Sequence, residues 1–152
     1  MVSEAKTRIT PKLVDSLYVE AMVLADEARS YFDRHSRDDR MKLHPIVRVG
    51  FSCESLKVTT RLMHVIAWLL TQRAVEAGEI SGARARSQSR RLGDAPDSDP
   101  ALLAKLPESA LSLIQASQDL HARVKRLEEG SVSQEPQASP ARSLLSRLER
   151  AF

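Results

Sequence analysis

The chain has 152 residues, with 23 Lys and Arg against 20 Asp and Glu, one cysteine and 4% aromatics. A single cysteine excludes an internal disulfide and suits a reducing compartment, and a net charge of only +3, spread along the chain, makes no electrostatic case for nucleic acid. The N-terminus, MVSEAKTRIT, has no apolar run of the signal-peptide kind; the longest apolar run, Val65 to Leu70, is far below the ~20 residues of a membrane span, so the reading is a cytoplasmic protein.

Sparse Gly and aromatics favour helix over sheet. Residues 1–9 carry no periodic signal and are expected to be disordered. Thr10-Pro11 is a helix start, a side-chain cap followed by a residue that needs no N–H. Val14, Leu17, Ala21, Leu24, Ala28 and Tyr31 then recur at heptad spacing, with Tyr18, Ala25 and Phe32 beside them, and predict a first helix over 10–34. Val19 and Val23 fall on its far side. The charged segment HSRDDRMKLH, His35 to His44, reads as a loop.

Pro45 opens the second helix, which runs to Gly78, a residue suited to ending one. This helix is apolar around much of its circumference. One stripe holds Val49, Cys53, Leu56, Thr60, Met63, Ala67 and Leu70; a second holds Phe51, Val58, Leu62, Val65 and Leu69. Together they cover roughly two thirds of the cylinder, well beyond the ~100° stripe of an ordinary surface helix. Such a helix needs cover on several sides and belongs at the centre of a bundle, and it hints that a second copy or a partner supplies part of the cover. Cys53 is expected to be a buried structural thiol on the core stripe. Gly50 marks either a close backbone approach or a tolerated defect of about 1 kcal/mol.

The remaining strip holds Glu54, Lys57, Arg61, His64, Trp68 and Gln72. An aromatic among charges is a common arrangement at binding hot spots, so Glu54, Lys57, Arg61, His64 and Trp68 form one candidate protein-contact surface. The plain alternative is that Trp68 folds over a neighbouring helix.

Residues 79–106, rich in Ser, Gly, Arg, Asp and Pro, read as a mobile linker. Its arginines, Arg84, Arg86, Arg90 and Arg91, are of the type that grips phosphate, but no aromatics are interleaved for base stacking, and Asp94, Asp97 and Asp99 answer their charge. A third helix follows over 107–129, with Ala110, Leu113, Ser117, Leu120, Val124 and Leu127 at heptad spacing and Gly130 as its stop. SVSQEPQASP is a second linker. Residues 131–152 therefore form a flexible tail ending in a short amphipathic helix, whose apolar face is Leu144, Leu145, Leu148 and Phe152. A helix so short forms only when docked, which makes these four residues the second candidate contact surface.

Enzyme signatures are missing. The four histidines are scattered, and there is no HExxH, CxxC, phosphate loop or GxSxG. The sequence points to no catalytic residue, cofactor or metal.

The runs EAMVLADEARSYFDR (Glu20 to Arg34) and FSCESLKVTTRLMHVIAWLLTQRAVEAGEI (Phe51 to Ile80), with SLKVTTRLM and AWLLTQRAV as their most specific parts, resemble the alphaproteobacterial RcdA family, regulators of CtrA degradation. The resemblance covers the first two helices; the third matches in pattern. It implies an all-α, antiparallel three-helix bundle with a long central helix, commonly a homodimer. It also implies a non-enzymatic adaptor that joins a ClpX-type unfoldase with its priming regulator (the primed ClpXP protease) to protein cargo such as cell-cycle response regulators. The tail would then contact the protease and the bundle the cargo. Two other readings compete: a helical scaffold dimer without protease contact, whose tail caps its own bundle, and a nucleic-acid-binding regulator using the Arg-rich linker.

Overall fold

In a computed structural model, residues 9–133 and 147–151 are described, and every regular element among them is helical. Helix α1 spans Pro11–Ser30 and passes into a π turn at Tyr31–His35; α2 is Arg37–Met41; α3, the longest, is Pro45–Glu76. Two single turns, α4 (Gly82–Ala85) and α5 (Pro100–Leu103), lie in the connection to α6, Glu108–Ser133.

The helix ends follow local chemistry. Thr10 Oγ1 accepts from the Leu13 amide at 3.1 Å, filling one orphan donor at the start of α1. α3 stops at a Schellman turn: the Glu79 amide bonds the Ala74 carbonyl at 2.9 Å and the Gly78 amide bonds the Val75 carbonyl at 3.0 Å. This turn requires φ of +75° at Gly78, the left-handed region that glycine enters without penalty. The third helix runs past the stop expected at Gly130 and continues to Ser133. One glycine costs a helix only about 1 kcal/mol.

The three long helices enclose the core. Val14, Leu17, Ala21, Leu24 and Ala28 from α1 meet Phe51, Val58, Leu62, Val65, Trp68 and Leu69 from α3, and Ala110, Ile114, Leu120 and Val124 from α6. At one end Tyr31 and Phe32 stack against Phe51, with Phe32 and Phe51 edge-to-face at a centroid separation of 5.4 Å. At the other, Arg73 pairs with Asp15 at 3.1 Å and lies 4.0 Å from the centroid of the Tyr18 ring.

These pairs run α1 antiparallel to α3; Glu20 paired with Arg123, and Glu27 and Tyr31 beside Glu108 and Leu113, likewise set α1 antiparallel to α6. Helices α3 and α6 are parallel to each other, a departure from an all-antiparallel bundle. The reason lies in residues 77–107, which travel the length of the bundle before α6 begins. The end of this return lies on Gly50, where a Cβ would meet Leu102 Cδ1 at 2.6 Å. Of the two expectations for Gly50, the close approach is the one observed. Residues 1–8 lie outside the described residues.

Candidate interaction site

The strip of α3 that carries Glu54, Lys57, Arg61, His64 and Trp68 is turned inward. Glu54 is 0%, Arg61 1% and Trp68 4% exposed. Lys57 and His64 are half-buried. What covers four of them is the segment read as a mobile linker. Its residues 92–98 are not in a helix, so their backbone groups have no ladder to join and must find other partners.

The strip supplies those partners in reverse chain order. His64 Nδ1 lies 2.9 Å from the Asp94 carbonyl, Arg61 Nη2 donates to the Pro96 carbonyl at 2.9 Å, and Lys57 Nζ donates to the Asp97 carbonyl at 2.7 Å. From α6, His121 Nε2 lies 2.8 Å from the Gly93 carbonyl, and the Glu128 carboxylate accepts from the Leu92 amide at 2.7 Å. Lys57, Arg61 and His64 are spaced by four and three residues, one line on a helix surface. A line of donors thus reads a line of carbonyls. The strip is therefore not an open contact surface, and a long polar side chain on it serves as a backbone partner.

Ser98 completes the arrangement, donating to Glu54 Oε1 at 2.5 Å and accepting from Arg61 Nη2 at 2.8 Å. Arg61 Nη1 reaches the Ser117 hydroxyl of α6 at 3.3 Å, and Lys57 pairs with Glu54 at 3.0 Å. Burial lowers the pKa of the Arg61 guanidinium, opposed by the charges of Glu54 and Asp97. A buried ion set of this kind adds little net stability but is costly to break. Sequence reasoning passed over Gly93, Ser98, His121 and Glu128; their one signal was the matching run of donors on α3.

The Arg-rich stretch is also held within the fold: Ala85 is buried, and Arg91 lies 3.6 Å from Glu128. Beside it a cavity of about 500 Å³ opens at the end of the bundle, walled by Ile9, Val14, Trp68, Val75 and Ala85.

The first apolar stripe of α3 faces the other way. Ile46, Val49, Leu56, Met63 and Leu70 are exposed, Leu56 to 69%. Cys53, expected in the core, is exposed among them. The core takes the second stripe instead, because the polar strip next to it must face residues 92–98. Val19 and Val23 on α1 are exposed as well.

The family described as "Protein of unknown function (DUF1465)" matches residues 5–152. The crystal structure of RcdA from Caulobacter crescentus CB15 aligns with a TM-score of 0.62 and 33% identity, over 80% of this chain and 90% of that one. The chain belongs to the DUF1465 family, which contains RcdA. A comparison with curated proteins returns no match.

Membership of the DUF1465 family agrees with the resemblance carried by the two sequence runs and with an all-α bundle. In this member, no helix among the described residues is long and apolar enough to cross a membrane. Nor do three or more His, Cys, Asp and Glu side chains gather there as a metal would require. Of the four tail positions, Leu148 is described, 53% exposed within a helical stretch at 147–151. Leu144, Leu145 and Phe152 lie outside the described residues.

Proposed function

We propose that this chain is a non-enzymatic adaptor in regulated proteolysis, joining a primed ClpXP protease to protein cargo such as cell-cycle response regulators, and that it works as a homodimer. The observation that carries this reading is the likeness to RcdA, 33% identical over 80% of the chain. RcdA takes its name from the regulation of CtrA degradation. The tail adds support: Leu148 is exposed rather than packed on the bundle, as a docking element for another protein must be.

An adaptor accelerates degradation by tethering. Two modest contacts on one molecule make the second encounter intramolecular, which raises avidity by about 10² to 10⁴. In this reading Leu144, Leu145, Leu148 and Phe152 meet the protease, and the bundle meets the cargo. No bond is made or broken by the adaptor itself.

The test compares the full chain with a version ending at Ser139, each incubated with ClpX and its priming regulator, with circular dichroism as the folding control. Normal folding with loss of the protease supports the reading. Equal capture by both forms moves the contact to the bundle, and capture by neither removes the protease from the function. The competing scaffold reading predicts instead that removing residues 140–152 lowers thermal stability.

A further inference from the structure

We infer that the cavity at the end of the bundle binds a peptide segment of a partner protein, taking one large apolar side chain inside and the adjoining peptide group on Trp68 and Gln72. This deepens the reading of the bundle as the part that meets cargo, and rests on it for the source of the peptide. At about 500 Å³ the cavity falls within the ~300–1,000 Å³ range of ligand sites.

The walls set the first requirement. Ile9, Val14, Val75 and Ala85 border the cavity with carbon. Water held against such walls finds few partners. An apolar group that displaces it gains about 25 cal/mol for each Å² removed from water.

Two polar groups on α3 set the second. Trp68 is 4% exposed and borders the cavity, yet its indole N–H makes no hydrogen bond among the described residues. Gln72, half-buried, lines the same cavity, and its side-chain amide likewise makes none there. A buried donor is costly to leave unmade, and the cavity is the space from which a partner can reach both groups. Residues four apart lie one above the other on a helix face, about 6 Å along the axis. The Gln72 amide offers an acceptor and donors together, the complement of a peptide N–H and C=O. The indole N–H takes a further carbonyl. An alcohol or a hydrocarbon answers these groups in part or not at all. An apolar residue within a peptide answers them while its side chain fills the carbon-lined space.

Charge narrows the class. Arg73 pairs with Asp15 at 3.1 Å, Arg91 lies 3.6 Å from Glu128, and Arg86 is engaged as well. These cations call for no phosphate or carboxylate on the ligand. Glu76, exposed and one turn beyond Gln72, also lines the cavity and pairs with no cation among the described residues. A basic residue beside the apolar one therefore meets a carboxylate, and an acidic one is repelled.

Trp68 is the chain's single tryptophan, so its emission reports occupancy of the cavity. The probe is glycyl-leucyl-lysine, acetylated and amidated, which has no aromatic group of its own. Added to the full chain, it should shift the Trp68 emission saturably. Alanine in place of leucine should weaken binding by at least about tenfold, the loss of a large apolar side chain. Glutamate in place of lysine should weaken it a few-fold at low salt, with the difference fading as salt rises. Gln72→Leu keeps the side-chain volume and should weaken the leucine peptide by about tenfold, with helical dichroism unchanged. The alcohol 3-methylbutanol, which carries the same side chain without a peptide group, should bind far more weakly and ignore Gln72→Leu.

A leucine peptide that gives no saturable shift below roughly 10 mM overturns the inference. So does one that binds no better than 3-methylbutanol, which would leave a plain apolar void. Much tighter binding once the chain ends at Ser139 would assign the cavity to the protein's own tail and overturn the partner. Protease capture on the same preparations judges the adaptor reading independently.

Discussion

The Glu54 carboxylate and the Arg61 guanidinium, both fully buried on α3, are joined through the hydroxyl of Ser98, 2.5 Å from one and 2.8 Å from the other. Ser98 stands on the return segment, so this link carries the attachment of residues 92–98 to the bundle. Arg61→Ala strands the Glu54 charge and is expected to cost about 3 kcal/mol in denaturant unfolding. Ser98→Ala removes both of its bonds and should cost about 2 kcal/mol. Because Glu54 and Arg61 share one network, Glu54→Leu with Arg61→Leu should destabilise less than the two single changes added.

A second prediction concerns Gly93. A Cβ there would fall 2.5 Å from His64 Nδ1, and that ring is held by its contact with the Asp94 carbonyl. Gly93→Ala is expected to cost about 1–3 kcal/mol, as overpacking does, and to raise amide exchange at residues 92–98. His64→Ala should recover part of the loss.

The Tyr31 phenol donates to Asp39 Oδ2 at 2.7 Å. Its pKa is raised, first by burial and then by the bond and charge of Asp39, against an opposing effect of Arg40. A folded-state pKa above the unfolded value of about 10 stabilises the neutral form. That contribution is complete below about pH 10 and is lost as pH climbs from there through the raised folded value. Tyr31→Phe should therefore lower stability by about 1 kcal/mol at neutral pH and flatten its alkaline decline. Tyr31 should also ionise late in an ultraviolet titration.

Gly78 holds a φ of +75° with no atom near its absent side chain. Gly78→Ala meets only backbone strain and should cost about 1 kcal/mol in thermal unfolding.

The exposure of Cys53 predicts prompt reaction with a small disulfide reagent. Cys53→Ser should change the stability by no more than about 0.5 kcal/mol, as surface substitutions do.

Much of the fold was legible in the chain. Thr10-Pro11, Pro45 and Gly78 mark helix ends through local backbone chemistry alone, and the α1 heptad names its own buried residues. Two sequence runs declare the family. The orientation of α3 was different. Its two apolar stripes both recur at helical spacing, so periodicity alone does not choose between them. The choice between them was made by residues 92–98, whose carbonyls need donors and find them on Lys57, Arg61 and His64. That need arises only when residues 30 to 40 positions apart are brought side by side. The strip that reads as an open surface is consequently closed, and the stripe that reads as core is left exposed. Local chemistry set where each helix begins and ends; the tertiary structure, through the hydrogen bonds an extended segment cannot make to itself, settled which side of α3 faces out.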